Sequence, residues 1–236
     1  KVFAVIVALL TIYCSFKRWV TVLWKVRQFD CVYVFMWATP VGSPILEFIL
    51  RHLSKRLVYD MEDSIDAGSS WIGKSAKSRY LLKVSDANIV SSSFLEKRIR
   101  QINPNSYYIS SSVDLNKWLP LEERSTAPGS AVIGWTGTFS SGAYLTPLLP
   151  HLVDFCQKNN HKLLIIGDFI LTEYANVNCI EFRQWSKEDE ISDLHDIDIG
   201  IYPLPDKEWV YGKSGLKLIQ YLALGIPQVS SNVGMN

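Results

Sequence analysis

The sequence is poor in the residues that build metal centres and disulfide frameworks. It holds four cysteines and four histidines in 236 residues. Cys14, Cys31, Cys156 and Cys179 stand far apart, with no C-x-x-C pair and no histidine at ligand spacing. A zinc ribbon or finger is thereby excluded, and reduced thiols in a cytosolic protein are expected. Charge of one sign is missing too. Against 24 Lys and Arg stand 23 Asp and Glu, a net charge of +1. No basic excess marks a surface that tracks nucleic-acid phosphates, so no nucleic-acid partner is expected.

A membrane-spanning run is also wanting. Residues 2–14 (VFAVIVALLTIYC) are almost unbroken apolar, but they number about 13 against the roughly 20 that cross a bilayer. Lys1 precedes them, Lys17 and Arg18 follow, and no small-residue cleavage pattern appears. A buried element of a truncated domain is the favoured reading; a signal-peptide core or peripheral membrane contact is the alternative. Low-complexity tracts are absent.

What the chain does have is an ordinary globular composition, 48% hydrophobic and 20% charged, and a repeated alternation of short β-rich and helical segments. Residues 17–28 carry a basic amphipathic pattern. Strands are expected over 31–36, 56–60, 87–90 and 107–110, with helices over 44–53, 73–84 and 93–101 between and after them. Ser93 and Glu96 have capping-box spacing. Residues 114–130 are polar and contain Pro and Gly, which makes them the expected linker. A second series follows: strands over 131–135, 162–166, 178–182 and 197–202, with helices over 144–158 and 187–194. Alternation of this kind indicates parallel sheets flanked by helices, with ligands beyond the carboxyl ends of the strands.

The last stretch, residues 212–236 (GKSGLKLIQYLALGIPQVSSNVGMN), reads as a phosphate-facing loop, a helix over about 214–224, and a buried strand. The first turn of that helix offers backbone N–H groups and a positive dipole end beside Lys213 and Lys217. An anion is stabilised there by both, although a solvated helix cap fits the same residues. Upstream, residues 136–142 form a small-residue loop. Its Gly137 permits close backbone approach and its Thr138 supplies a hydroxyl; a flexible turn is the other reading. Trp135, Trp185 and Trp209 have rings that could stack on a base or sugar, with core packing the alternative for the first two. At the end of an earlier strand, Asp60, Glu62 and Asp63 bring three carboxylates close together. They suit a divalent ion, an acceptor hydroxyl, a general base, or a solvated loop.

Several of these segments carry a family resemblance. Gly134-Trp135-Thr136-Gly137-Thr138, the run DIGIYPLPD over 198–206, Gly212-Lys213-Ser214-Gly215-Leu216-Lys217-Leu218, Gln220-Tyr221 and Ala223-Leu224-Gly225-Ile226-Pro227 resemble the donor-binding half of nucleotide-sugar glycosyltransferases of the GT-B fold, the large retaining "group 1" family. Val90 with Ser91 to Ser93, and Val113-Asp114 with Trp118 and Pro120, resemble the end of its acceptor domain. The likeness spans nearly the whole chain, is specific in the second half, and is loose before Asp30.

The resemblance implies an α/β protein of two Rossmann-like domains facing each other across a cleft. An acceptor-side domain is expected over 1–120 and a donor-nucleotide domain over 121–236, each incomplete relative to the family. It implies transfer of a sugar from a nucleoside-diphosphate sugar to a glycan or lipid-linked acceptor, with retention. The expected location is the cytoplasm, at the inner face of a membrane. Donor binding falls to Gly137, Thr138, Trp185, Lys213, Ser214, Gly215, Leu216 and Lys217, and the acceptor side to Asp60, Glu62 and Asp63. Lys213 and Asp63 are the expected catalytic residues. No metal or cofactor is implied, the nucleotide-sugar being the donor substrate. One departure stands out: the family's two acidic positions fall on Gly212 and Gln220, so a non-catalytic nucleotide-sugar-binding subunit is an alternative, and an epimerase a more distant one.

Overall fold

The computed structural model describes residues 2–38, 43–61, 74–122 and 129–236. Contacts divide the chain into two compact units, Lys1–Ser110 with Tyr211–Lys213, and Ser111–Val210 with Ser214–Asn236.

The first unit opens with helix α1, Val2–Lys25, which passes into a 3-10 turn at Val26–Gln28. The apolar run and the basic helix expected from the sequence are thus one element. No Gly or Pro interrupts residues 2–28, and extending a helix is far easier than nucleating a second one. Burial of the apolar run does not hold at its end, since Tyr13 is 63% exposed. Among the described residues no helix is long and apolar enough to cross a membrane.

Beyond it come β1 (Val32–Phe35), α2 (Ile45–Leu53), β2 (Leu57–Met61), α3 (Lys74–Val84), β3 (Ala87–Val90), α4 (Ser93–Ile99) and β4 (Ser106–Tyr108). The strands are parallel and lie in the order β1-β2-β3-β4. Because this order follows the chain, right-handed crossovers carry each connecting helix to the same face. The core accordingly forms on one side. Val34, Leu57, Tyr59, Met61 and Val90 meet Leu50 of α2, Leu81 and Leu82 of α3, and Leu95 and Ile99 of α4 in one cluster. Residues of the opposite face are only half covered: Tyr33, Phe35 and Tyr107 are 56%, 52% and 48% exposed.

Local polar contacts fix the helix ends. The cap of α4 is Ser92, whose hydroxyl accepts from the Leu95 N–H at 3.2 Å. Ser93, the expected cap, is already helical, and Glu96 instead accepts from the Tyr108 N–H and pairs with Arg100. At the end of α3 the Asn103 amide donates to the Leu82 and Ser85 carbonyls. Between α2 and α3, Lys77 and Glu47 form an ion pair at 3.1 Å, with their side chains 1% and 0% exposed.

The second unit contains β5 (Val132–Gly137), α5 (Phe139–Leu145), α6 (Leu149–Asn159), β6 (Lys162–Gly167), β7 (Ile180–Gln184), α7 (Glu190–His195), β8 (Ile199–Tyr202), α8 (Leu216–Ala223) and β9 (Gln228–Ser230). Its parallel sheet has the order β7-β6-β5-β8-β9. The chain leaves β5 first towards β7, then returns and proceeds towards β9. Reversing direction sends helices to both faces. Two cores result: Ile133, Trp135, Leu163 and Ile165 pack with Leu145 of α5 and Leu149 and Cys156 of α6, while Leu164 and Ile166 pack with Leu194 of α7 and Leu218, Tyr221 and Leu224 around α8. Trp118 packs against the second of these cores, and the Leu119 carbonyl lies 3.0 Å from His195 Nε2. The described part of the expected linker thus lies against the second unit.

The buried ion pair generates a direct expectation. Glu47→Ala leaves the Lys77 ammonium buried and should lower unfolding free energy by roughly 3–5 kcal/mol. Glu47→Leu with Lys77→Met should recover most of that loss. Urea unfolding of the three proteins, followed by circular dichroism, measures both.

Candidate functional site

Strand β5 pairs with β6 on one side and β8 on the other. It is the strand at which the winding of the sheet reverses, and the crevice beyond its carboxyl end is where sheets of this kind bind ligands. Thr136 and Gly137 end β5, Gly167 ends β6 in register with Gly137, and Tyr202 ends β8. Two helices begin at this edge, α5 and α8. Their first turns differ in one decisive respect.

The start of α5 is filled from within the protein. Residues 136–142, expected as a loop, turn into helix at Phe139, because Thr138 serves as the N-cap residue. Ser141 Oγ accepts from the Thr138 N–H at 2.9 Å, and Thr138 Oγ1 lies 3.0 Å from Ser140 Oγ. The Asp168 carboxylate accepts from the Phe139 N–H at 2.6 Å. A protein anion thus occupies the position that an external anion would take. Asp168 was not singled out from the sequence. Its only signal there is the Gly-Asp pair directly after a strand.

The start of α8 carries no side-chain cap. Gly215 is its N-cap residue, in the left-handed region at φ +69°, where a side chain would be strained. Met235 and Asn236 stand beside it. Lys217, in the first turn, donates to the Thr136 carbonyl. Its ammonium also lies over the rings of Trp135 and Tyr202, at 5.1 and 5.8 Å from their centroids. The lysine therefore ties α8 to the ends of β5 and β8. Ser214 and Leu216 are half-buried. Lys213 groups with the first unit, where Ser91 Oγ donates to the Gly212 carbonyl at 3.0 Å and the rings of Phe94 and Tyr211 are 5.6 Å apart.

Close approach of α8 to the sheet depends on Gly200. A Cβ at this position would lie 2.7 Å from the ring of Tyr221. That ring is completely buried, and burial pushes its phenol well above the usual tyrosine range.

Trp185 sits just past β7. Its N–H donates to the Gly167 carbonyl at 2.9 Å, which fixes it at the same edge. Trp135 is core, as one reading of the sequence had it, at 1% exposure, whereas Trp185 is 42% exposed. Its indole N–H points to Glu190 Oε1 at 3.4 Å, and Gln220 of α8 donates to the same oxygen at 3.3 Å. Gln220, where the family resemblance leads one to expect an acid, thus touches a carboxylate from another element.

In the first unit, Asp60 is the penultimate residue of β2 and accepts a hydrogen bond from the Tyr33 hydroxyl. Desolvation, followed by that bond and the carboxylate charge, pushes the Tyr33 phenol up to about 12. Glu62 and Asp63 lie outside the described residues.

Solved structures share this architecture. A glycosyltransferase from Rickettsia africae ESF-5 matches with a TM-score of 0.68 at 12% identity, over 93% of this chain and 62% of its own. The lipopolysaccharide outer core galactosyltransferase WaaB matches with 0.54 at 16% identity, over 94% and 63%. The catalytic domain of starch synthase IV from Arabidopsis thaliana, bound to ADP and acarbose, matches with 0.55 at 9% identity, over 87% and 57%. A structure named as a nucleotide-sugar epimerase also matches, at 9% identity. This chain spans about three fifths of the length of each of these three glycosyltransferases. No family model matches it, and no curated protein is similar in sequence. The fold is the α/β fold of GT-B glycosyltransferases, with parallel sheets of four and five strands.

Gly200→Ala forces the Tyr221 ring, and with it α8, away from the sheet. A loss of about 1–3 kcal/mol of stability is expected for this overpacking. Chemical denaturation checks it, with an alanine substitution at exposed Lys187 as the neutral control.

Proposed function

We propose that this protein transfers a glycosyl group from a nucleoside-diphosphate sugar to a glycan or lipid-linked acceptor, with retention at the anomeric carbon. One observation carries the reading. Of the two helices that start at the crevice, α5 is closed by Asp168 and Ser141, while no side chain caps α8. A diphosphate therefore belongs at the start of α8, with Lys213, Ser214, Gly215 and Leu216 around it.

The chemistry follows from charge and position. Breaking the sugar–phosphate bond leaves negative charge on the departing diphosphate. The Lys213 ammonium and the backbone N–H groups of α8 stabilise that charge as it forms, and their placement before the reaction is what lowers the barrier. Lys217 acts mainly as the strut that holds α8 against β5. Gly137 and Thr138 border the crevice, and Trp185 offers a ring face to the nucleoside. Asp60, Glu62 and Asp63 are assigned to the acceptor side, with Asp63 as the second catalytic residue beside Lys213. Neither metal nor cofactor is required by this scheme. The sugar donor and acceptor point to work in the cytoplasm at the inner face of a membrane, in assembly of cell-envelope polysaccharide. The ADP held by the starch synthase of this fold supports a nucleotide in the site.

A second reading is favoured by Gly212 and Gln220, neither of them acidic. In it the protein binds the nucleotide-sugar without transferring it. A thermal-shift and turnover screen against nucleotide-sugars, run with and without candidate acceptors, separates the two. Transfer should consume donor only with acceptor present, whereas an epimerase would act with none. Lys213→Ala should weaken nucleoside-diphosphate binding by about tenfold or more, the scale of one charge-assisted contact. Unchanged binding in that variant would remove Lys213 from the site.

A further inference from the structure

Positive charge is concentrated at the start of the chain. Residues 1–29 hold five cations, Lys1, Lys17, Arg18, Lys25 and Arg27, and no Asp or Glu. The other residues therefore carry 19 cations against 23 anions, so a protein of net charge +1 has one basic segment on an otherwise acidic body. That segment is a single element, α1 with the 3-10 turn after it. Lys17, Arg18, Lys25 and Arg27 are exposed, and among the described residues none of them pairs with a carboxylate. Asp30, the first acid of the chain, is taken by Lys55.

The same helix exposes apolar rings. Trp24 and Phe16 are 81% and 69% exposed, and Tyr13 and Val20 are exposed with them. These four follow one another at steps of three and four residues, which places them within about 80° of the helix circumference. One flank of this stripe holds Trp19 and Leu23, which are half-buried and lead to Val26 in the core of the first unit. The other flank holds Lys17, Arg18 and Lys25. Residues 2–12 continue the helix and carry no charged side chain. A second copy of the chain would set like charges against each other along this face. An anionic bilayer matches both parts: rings enter the boundary between headgroups and acyl chains, and the long basic side chains beside them reach the phosphates.

We propose that α1 lies along the surface of an anionic bilayer, with Tyr13, Phe16, Val20 and Trp24 in the headgroup boundary and Lys17, Arg18 and Lys25 on lipid phosphates. The proposal deepens the inner-face placement given above and rests on that part of the reading alone; the donor crevice does not enter it. From Tyr13 to Trp24 the stripe runs about 16 Å, long enough for all four side chains to meet one plane. Charge selects the lipid. A zwitterionic headgroup offers the rings the same boundary but gives the cations no net attraction. Among the described residues no helix is long and apolar enough to cross a membrane, so the attachment is to one face.

The test is flotation of the protein with vesicles of phosphatidylcholine alone and of phosphatidylcholine mixed with phosphatidylglycerol, at low and high salt. The unaltered protein should partition into the mixed vesicles about tenfold or more tightly, and salt should weaken that binding. Lys17→Gln with Arg18→Gln should lower it by about 25-fold, near fivefold for each charge. Trp24→Ser should lower it by about tenfold on both kinds of vesicle, the scale of one large apolar side chain. These side chains are exposed, so the variants should keep the circular dichroism of the unaltered protein. Lys97→Gln with Lys117→Gln removes the same charge from exposed positions elsewhere and should change binding by less than about twofold. An equal loss in that control, equal binding to both vesicles, or full binding by the Lys17 and Arg18 variant overturns the proposal. So does self-association in sedimentation that Trp24→Ser abolishes, which would give the face to a second copy. Vesicle binding without sugar transfer would sustain the role of α1 while removing the proposed activity; transfer without vesicle binding would remove only the role of α1.

Discussion

The contact between Tyr221 and Gly200 is the constraint on which the second unit depends. An aromatic ring can lie against the backbone of a central strand only where that strand has no side chain to push it away. Given this contact, α8 rests directly on β8, and its first turn is carried to the end of β5. Lys217 then reaches the Thr136 carbonyl, Gln220 reaches Glu190, and Gly215 stands at the crevice. A methyl group at position 200 would disturb all of these together, because they share one helix.

The fold was largely legible because the hydrophobic pattern of a parallel α/β chain is strong and local. Almost every strand and helix of the two series lies where the alternation of apolar segments puts it. What pattern reading missed were polar interactions between residues distant in sequence or hidden in a short turn. Asp168 closes the start of α5 from the end of another strand, and no spacing rule connects it to Phe139. The capping residue of α4 is Ser92 and not Ser93, a choice among three adjacent serines that only backbone geometry makes. At α1 the sequence suggested two segments where one helix runs, since a change in composition does not stop a helix without a Gly or Pro to break it.

The candidate site was legible in a different measure. The residues of the last stretch were readable because a glycine, a lysine and a helix start fall within a few positions. Glu190 was invisible: it lies 30 residues from Gln220, in a run of acidic residues that reads as a solvated helix start. Much of the described charge is held within the fold itself. Arg183 holds three carboxylates, Lys77 holds Glu47, and Asp168 holds a helix end. Charges neutralised in this way stabilise the fold.

The strand order of the first sheet has a consequence for the newly made chain. Among the described residues the second face of this one-way sheet is only half covered, so Tyr33, Phe35 and Tyr107 present an aromatic surface. During synthesis, before any cover arrives, such a surface adheres to apolar segments of neighbouring chains. The second unit, wound both ways, has a core on each face of its sheet. That hazard therefore sits with the first unit and not with the half that holds the candidate donor site.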